Sequence, residues 1–435
     1  MTPRTPRPQR RRATRQSPSR RSSPLSADER ADVLVVGGGA AGIMAAIEAA
    51  RRGRRVVLLE KNRRPGLKIL ISGGGRCNLT TTRSGKDLEA QYGTRRGRFL
   101  RHALRSFPPT ALRAFIESAG VPLRAEPLEK LFPVSEKAKD VLDALLRVCE
   151  EAGVTLVREA AASDVVTRGG RFVATTAQGA FTASSVVLAT GGLSYPRTGT
   201  TGDGYAWCRA FGHTITETFP ALAPLLVDEE WVRDLRGVVV DGVDIACVAA
   251  DGRETLRRRR PILFTHKGLS GPAAMDLAGD VEEQRGAAQA RFDFAPGVHA
   301  EQLEREWLAM AKEHGARRVE ALLPRALPER VRAALVAAGG ASEETTLAAL
   351  PKSTRRSLLA AVKDLRVATK KSLGYGAAEV TRGGVALGEV DAKTMESKLQ
   401  PGLFICGELL DVDGPIGGFN FQAAFATGRL AGLQA

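Results

Sequence analysis

The chain has 435 residues, 43% of them hydrophobic, so it can bury two or three hydrophobic cores. Its formal net charge is +16, but eight Arg residues within residues 1–24 supply half of this excess, so charge alone is weak evidence for a nucleic-acid partner. No segment approaches ~18 consecutive apolar residues, which argues against a membrane span, and the five Cys residues form no CxxC pair, which argues against a zinc site and against a flavin disulfide reductase.

Residues 1–30 are predicted to form a disordered basic tail, because residues 1–24 contain five Pro and almost no large apolar side chain. The pair Arg20 and Arg21 is not followed by the apolar stretch of an export signal, since Asp28 and Glu29 stand there. The odd, scattered Cys set suits a reducing compartment. We therefore predict a cytoplasmic protein with a small-molecule substrate, no membrane contact, no metal and no specific nucleic-acid partner.

The first predicted element is an apolar strand that begins at Asp32 and runs directly into Gly37-x-Gly39-x-x-Gly42. Gly37 allows a tight turn, Gly39 lets the backbone approach a pyrophosphate, and Gly42 lets helix and strand pack closely. A helix over residues 40–52 and a strand over residues 55–59 follow, and Glu60 ends that strand where an acceptor for ribose hydroxyls is expected. This β-α-β unit predicts a doubly wound α/β domain that binds a dinucleotide.

Further along, helices are predicted to begin at the N-caps Thr110 and Ser135. Residues 171–176 and 180–188 are predicted to form a β-ribbon that ends in a second glycine-rich turn. Ligands of doubly wound sheets lie beyond the carboxyl ends of the strands, so this turn is expected to lie against the nucleotide. It contains Thr190, Gly191 and Gly192.

The pattern changes after residue 205. Short β-branched runs predict a small β domain, and a segment with Leu and Ala at helical spacing predicts a helical insert. The run Arg257–Arg260 is expected to be solvated. The α/β character returns at the C-terminus, with a strand over residues 402–406 and a helix over residues 421–430.

Five motifs in order resemble the FAD-dependent flavoproteins of the family that includes BaiN-type reductases and aminoacetone-oxidase-type enzymes. They are VGGGAAG (36–42), KILISGGGRCN (68–78), ATGGLSYP (189–196), LFTHKGLSGP (263–272) and GELLDVDGPIGGFN (407–420). The resemblance runs from about Asp32 to Gly432. It implies an α/β fold with a discontinuous Rossmann-like FAD domain (31–205 and 386–435), an inserted β-barrel-like domain (206–296 and 363–385) and a helical insert within the latter (297–362).

The resemblance also implies where FAD binds. It puts the pyrophosphate on the first glycine turn, the adenosine ribose on Glu60, the flavin beside residues 72–78, the ribityl or phosphate end on Asp411, and the pyrimidine edge at the start of the last helix. The predicted cofactor-binding set is Gly37, Gly39, Ala41, Gly42, Glu60, Lys61, Lys68, Ser72, Gly74, Gly75, Arg76, Cys77, Asn78, Thr190, Gly191, Gly192, Gly407, Glu408, Asp411, Gly417, Gly418, Phe419 and Asn420. The chain departs from the family at Glu129-Lys130-Leu131, where members often carry Gly-Arg, so no ligand contact is carried over from that loop.

Three side chains are candidates for the chemistry. His266, with an unperturbed pKa of about 6.5, is either a proton donor or acceptor or a structural residue of its turn. Arg76 either neutralises an anionic substrate or reduced flavin, or only secures the glycine-rich loop. Tyr195 is a further proton-relay candidate, whereas Cys77 is expected to be a packing residue.

These features predict an FAD-dependent oxidoreductase that transfers a hydride between flavin and a small organic substrate. It is either an NAD(P)H-linked reductase of an activated C=C bond or an amine or alcohol oxidase. The chain holds one complete GxGxxG, so NAD(P)H is expected to dock only transiently. Two alternatives stay open: an RNA-associated flavoprotein whose tail and Arg257–Arg260 bind phosphates, and a flavin redox sensor without turnover.

Overall fold

A computed structural model describes residues 31–435, so the predicted basic tail lies outside the described residues. The first unit contains nine strands and seven α-helices within residues 31–210. They are β1 (Ala31–Val36), α1 (Ala40–Arg51), β2 (Val56–Leu59), α2 (Leu67–Gly75), β3 (Thr80–Thr81), α3 (Gly85–Ala90), α4 (Gly93–Ser106), α5 (Pro109–Ser118), β4 (Leu123–Glu126), β5 (Lys130–Pro133), α6 (Ala138–Glu151), β6 (Thr155–Val157), β7 (Ala162–Arg168), β8 (Arg171–Thr176), β9 (Gly179–Leu188) and α7 (Asp203–Ala210).

The second unit is built mainly from short strands and carries three helices between β17 and β18. After β20 the chain returns to the first unit. The remaining elements are β10 (Phe219–Ala221), β11 (Leu225–Leu226), α8 (Glu230–Asp234), β12 (Val239–Val240), β13 (Asp244–Val248), β14 (Glu254–Arg258), β15 (Ile262–Thr265), β16 (Gly268–Ser270), α9 (Gly271–Asp276), α10 (Ala278–Glu283), β17 (Ala288–Asp293), α11 (Ala300–Glu313), α12 (Glu329–Ala338), α13 (Lys352–Lys363), β18 (Leu365–Thr369), β19 (Lys371–Ser372), β20 (Val380–Arg382), β21 (Leu403–Ile405) and α14 (Phe419–Gln434).

The central sheet of the first unit is parallel in the order β6-β2-β1-β9-β21. Strand β9 has two partners along one edge: residues 179–183 pair antiparallel with β8, and residues 186–188 pair parallel with β21. Strands β1, β2 and β21 and the end of β9 are almost entirely buried, as helices cover both faces of such sheets, whereas the edge strand β6 is half-buried. This confirms the predicted doubly wound α/β fold and places the carboxyl ends of β1, β2, β9 and β21 at one edge.

The second unit has two antiparallel sheets, β12-β15-β16-β11-β19 and β14-β13-β17-β18, which enclose a hydrophobic core of their own. Within residues 31–435, no backbone pairing joins these two sheets into a closed barrel. The core of the first unit uses residues 31–208 and 385–435, whereas that of the second uses residues 223–378.

Helix α14 returns the C-terminus to the first unit by packing directly on α1. A Cβ atom on Gly428 would lie 2.2 Å from the carbonyl oxygen of Ala41, and one on Gly432 would lie 2.2 Å from that of Ala45. Glycine is therefore required at both positions for the two backbones to touch. This contact holds the last helix beside the first glycine turn.

Two predicted helix starts differ from the structure. Helix α5 begins at Pro109, so Thr110 lies inside it, because proline with its fixed φ suits the first helical turn. Helix α6 begins at Ala138 after Lys137, so Ser135 lies outside it. Among the described residues, no helix combines the length and apolar character needed to cross a bilayer.

Candidate flavin and substrate site

A cavity of about 590 Å³ lies between the two units at the carboxyl edge of the parallel sheet. The first unit supplies the glycine turn after β1, the end of β2, helix α2 with the loop after it, the end of β9 and the start of α14. The second unit supplies residues near β15, α9 and β20. The cavity therefore has one wall formed by the glycine-rich turns of the first unit and another formed by the second unit.

The first glycine turn shapes one end of this cavity. Gly37 has φ +108°, and a Cβ atom on Gly42 would lie 1.9 Å from the carbonyl oxygen of Gly37. In contrast, no atom lies within 4 Å of the Cβ position of Gly39, which faces open space. Helix α1 begins at Ala40, so its first-turn N–H groups have no acceptor within the helix. Open space beside such N–H groups is what a diphosphate requires.

Glu60 lines the same end of the cavity and is held by its neighbours. Its Oε2 accepts from the Gly38 N–H at 2.9 Å, and its Oε1 accepts from the backbone N–H and the side-chain amide of Asn62 at 2.7 and 2.8 Å. A carboxylate offers about four acceptor positions, so one is left for a ribose hydroxyl. Burial raises the pKa of Glu60.

The loop after α2 provides the next part of the wall. Gly73 and Gly74 have φ of +56° and +70°, and Cys77 has φ +63°, so the chain bends sharply between α2 and β3. Three buried polar atoms of cavity-lining residues have no hydrogen-bond partner: Arg76 Nε, Asn78 Oδ1 and Thr190 Oγ1. Unpartnered buried polar atoms are costly, so their presence around one cavity fits a polar, ring-bearing ligand such as FAD.

Lys68 ties together elements that are distant in the sequence. Its ammonium group donates to Ser194 Oγ at 2.5 Å and to Glu408 Oε2 at 2.6 Å. Ser194 also donates to Glu408 Oε1, at 2.7 Å. This partly buried network joins α2, the turn after β9 and the turn after β21 at the cavity wall.

The loop before α14 forms the opposite wall. Asn420 accepts from the Gly414 N–H and donates to the Gly414 carbonyl, both at 2.9 Å, which closes the loop. A Cβ atom on Gly418 would lie 2.4 Å from the Thr80 carbonyl oxygen, so only glycine fits there. The first turn of α14 therefore presents its N–H groups to the cavity, where they can stabilise negative charge on a ring edge.

Two charged side chains from different parts of the chain face the remaining space. Lys130 is on β5 and Glu379 directly precedes β20; among the described residues, neither charged group has a hydrogen-bond or ion-pair partner. Burial lowers the pKa of Lys130 and raises the pKa of Glu379. Both shifts favour the neutral form of the group.

Tyr195 also faces this space and has φ +50°, a strained conformation for a side chain of this size. Its backbone N–H donates to the Tyr375 carbonyl at 2.9 Å, which fixes the turn. Burial raises the pKa of Tyr195, and the nearby Glu379 carboxylate raises it further. The rest of this end is largely apolar, with Phe132, Leu222, Leu263, Pro272, Met275, Val380 and Ile416 in the wall.

Most of the predicted site residues line this cavity. They are Gly37, Gly39, Ala41, Glu60, Lys61, Lys68, Ser72, Gly74, Arg76, Asn78, Thr190, Gly191, Tyr195, Gly407, Glu408, Gly417, Gly418 and Asn420. Arg76 is ion-paired with Glu126, and its guanidinium lies 4.2 Å from the ring centre of Phe132. The structure therefore uses Arg76 to fix the loop, while its buried Nε has no hydrogen-bond partner among the described residues.

Seven predicted residues lie outside the cavity wall. Gly42, Gly75, Gly192 and Phe419 are not among the residues that line it, and Cys77 is fully buried with a pKa raised by burial to about 12, as suits a packing residue. Asp411 is 2% exposed and is ion-paired with Arg95 and Arg96, so its carboxylate holds its own loop in place. His266 is exposed in the turn after β15 and is not brought to the cavity.

Sequence reasoning missed Lys130 and Glu379. Lys130 lies within the segment that departs from the family pattern, and the structure nevertheless puts it on the cavity wall. Glu379 had no motif around it, since its position depends on β20 folding against β10.

The run Arg257–Arg260 is only partly solvated. Arg257 and Arg259 are 46% and 53% exposed, as predicted. Arg258 and Arg260 instead donate to the buried Asp276, at 3.0 and 3.3 Å, so half of the run is part of the fold. This pairing weakens the run as a phosphate-binding site.

A family model described as HI0933-like protein Rossmann domain matches residues 31–434. The chain is 30% identical over 400 residues to a ribosomal RNA dihydrouridine synthase of Escherichia coli K12, covering 92% of this chain and 96% of the relative. It is also 30% identical over 407 residues to a 3-dehydro-bile acid delta(4,6)-reductase of Clostridium scindens, covering 92% and 98%.

Among solved structures, a 3-ketosteroid delta1-dehydrogenase of Sterolibacterium denitrificans matches with a TM-score of 0.51 at 14% identity, over 93% of this chain and 98% of that one. At this identity the match shows a shared fold.

Proposed function

The chain belongs to the HI0933-like family of FAD-dependent oxidoreductases, and from that premise we propose that it reduces a C=C bond conjugated to a carbonyl group, with a uridine of ribosomal RNA as its substrate. The single observation that carries the proposal is that Tyr195, Lys130 and Glu379 face the cavity into which the glycine turn opens. NAD(P)H is the proposed reductant. We place the reaction in the cytoplasm, since all five Cys are unpaired and buried.

The names of the two relatives point to one chemistry. Dihydrouridine is uridine with its C5–C6 bond reduced, and that bond is conjugated to the C4 carbonyl. A 3-oxo steroid with Δ4 and Δ6 bonds is likewise a conjugated ketone. In both, a hydride adds to the carbon remote from the carbonyl and a proton adds to the carbon next to it. The oxidase direction predicted as an alternative does not share this pattern.

The glycine turn, Glu60, the loop after α2 and the start of α14 would hold FAD, and the bound cofactor would provide the hydride. The chain's own residues supply the proton. Burial raises the pKa of Glu379 and of Tyr195, so each group holds its proton to higher pH than an ordinary carboxyl or phenol and carries a proton to donate. We assign Tyr195 as the donor and Glu379 as the group that returns a proton to it.

Lys130 is assigned to the carbonyl oxygen of the substrate. The Lys130 amine keeps N–H donors in either protonation state, and these stabilise the negative charge that develops on that oxygen as the hydride adds. The apolar side chains around it exclude water and strengthen this interaction.

Anaerobic stopped-flow spectroscopy tests the proposal. NADPH or NADH should bleach the flavin band near ~450 nm, and ribosomal RNA that lacks the modification should restore it with formation of dihydrouridine. RNA already containing dihydrouridine at every reactive site is the matched control. A flavin that NAD(P)H reduces but that RNA never reoxidises would overturn the assignment of uridine.

A steroid-type enone is the second candidate, because the apolar wall from Leu222 to Ile416 fits a fused-ring ligand and one relative is named for such a substrate. The same assay discriminates the two: a 3-oxo-Δ4,6 steroid would reoxidise the flavin while unmodified RNA would not.

A further inference from the structure

Helix α4 carries a continuous exposed basic face. Arg95, Arg98, Arg101 and Arg105 recur every three or four residues, which places them along one side of the helix, and all four are exposed. We call these four residues the arginine stripe. From Arg95 to Arg105 it extends about 15 Å along the helix axis. Helix α4 contains no acidic residue.

The opposite face of α4 is part of the protein core. Phe99, Leu100, Ala103 and Leu104 are all at most 7% exposed. The helix therefore has no free apolar face with which to enter a lipid surface, as interfacial amphipathic helices do. Only its charged side is available to a partner.

Two buried carboxylates fix the stripe from below. Glu89 is 8% exposed and accepts from Arg101 and Arg105, both at 2.9 Å, while these arginines remain 51% and 59% exposed. Asp411 pairs with Arg95, which is 61% exposed. A guanidinium has five N–H donors, so each pair leaves donors that point to solvent. Arg98 has no partner among the described residues.

The stripe is connected to the cavity wall at its N-terminal end. The Tyr92 hydroxyl donates to the Phe419 carbonyl at 2.7 Å, and Arg96 donates to Asp411 at 3.0 Å. The loop after Asp411 continues into Val412 and Gly417, which line the cavity. A polymer lying on the stripe therefore lies close to the site of reduction.

We infer that the arginine stripe binds the phosphate backbone of an RNA substrate and positions it for the cavity, an inference that rests on the proposed function. Pre-ordered guanidinium groups bind phosphates through charge-assisted hydrogen bonds, and successive phosphates along a strand match a row of cations. Such contacts set the register of the RNA, whereas the cavity selects the base.

Fluorescence anisotropy with a labelled RNA hairpin carrying a uridine-rich loop tests the inference on the full chain. Arg98→Gln removes a cation without breaking an ion pair in the protein, and Arg98→Gln with Arg105→Gln leaves Arg101 to hold Glu89. Each lost phosphate contact should weaken binding roughly threefold to fivefold at 0.15 M salt and reduce the slope of log K against log salt by about 0.7 to 0.9.

Arg305→Gln with Arg356→Gln is the matched control, since both residues are exposed and lie on the helical insert. Binding to phosphatidylserine vesicles is measured alongside. The inference is overturned if the stripe variants bind the hairpin as tightly as this control does, or if they lose binding to the vesicles but not to the hairpin. Flavin reoxidation by unmodified ribosomal RNA is measured in parallel. If the stripe variants lose RNA binding but wild-type protein never reduces uridine, the proposed function fails while the RNA surface stands.

Discussion

Asp276 Oδ1 accepts a hydrogen bond at 2.8 Å from the backbone N–H of Ile416, so a buried carboxylate of the β domain holds the loop that precedes α14. Arg260 donates to the carbonyl of the same residue at 2.7 Å. Both backbone groups of Ile416 are thus bound by the other domain. Since Ile416 lines the cavity, this pair of contacts fixes the separation between the nucleotide surface and the substrate wall.

Replacing Asp276 by Ala should destabilise the protein. The change leaves Arg258 and Arg260, which are 25% and 12% exposed, without their shared carboxylate. Breaking a buried ion pair on one side typically costs roughly 3–5 kcal/mol. Thermal unfolding followed by circular dichroism measures the loss, and Asp251→Ala, at an exposed turn, is the control. An unchanged melting temperature would show that the contacts of Asp276 contribute nothing to stability.

Gly39→Val should abolish retention of FAD without unfolding the chain. Gly39 has an ordinary φ of −85°, and nothing lies within 4 Å of its Cβ position, so the side chain fits the empty fold but occupies the space assigned to the diphosphate. Gly388→Val is the matched control, since Gly388 is exposed and likewise has no atom within 4 Å of its Cβ position. Absorbance at ~450 nm relative to protein, with circular dichroism as the check on folding, gives the result. A yellow Gly39 variant would show that the diphosphate binds elsewhere.

Gly428→Leu should separate the two ends of the chain. Its Cβ would lie 2.2 Å from the backbone of α1, which cannot move without disturbing the parallel sheet. Overpacking costs typically 1–3 kcal/mol, and contact with backbone places this change at the upper end or beyond. The expected results are a lower melting temperature and weaker FAD binding, measured by fluorescence titration. Normal stability with normal affinity would contradict the close packing of α14 on α1.

The nucleotide half of the site could be predicted because its signals are local. Gly37, Gly39 and Gly42 are defined by turn geometry over a few residues, and Glu60 by the length of one β-α-β unit. The positions of Glu379 and Lys130 depend on how β20 and β5 pack against distant segments, and such pairings leave no short pattern. His266 has suitable chemistry and lies within a motif, but it is exposed and is not among the residues that line the cavity.

Asp411 shows a second limit. An acidic residue near a glycine-rich helix start is compatible with binding a ligand or with an internal ion pair. In the structure the Asp411 carboxylate forms ion pairs with Arg95 and Arg96, which lie more than 300 residues earlier in the chain. Long-range pairing of this kind is set by the fold as a whole.

Glu379→Gln should change both stability and catalysis in a way that depends on pH. Because burial raises the pKa of Glu379 in the folded state, its contribution to stability is present below the unfolded pKa and is lost as pH rises through the folded pKa. Over that interval the wild-type free energy of unfolding should fall by up to about 1.4 kcal/mol per pH unit from this group. Gln cannot ionise, so the variant should match wild type under acidic conditions and exceed its melting temperature in alkaline buffer.

The same substitution, Glu379→Gln, should slow catalysis although it raises stability in alkaline buffer. If Glu379 resupplies the proton that Tyr195 donates, the variant should turn over at least tenfold more slowly while NAD(P)H reduces its flavin at the normal rate, because reduction of the flavin does not use this proton. Tyr195→Phe should lose the same step, and Glu343→Gln, at an exposed position of the helical insert, should behave as wild type. A Glu379 variant with normal turnover and an unchanged pH profile would leave Tyr195 without its proposed proton source, and would return Lys130 as the group to test next.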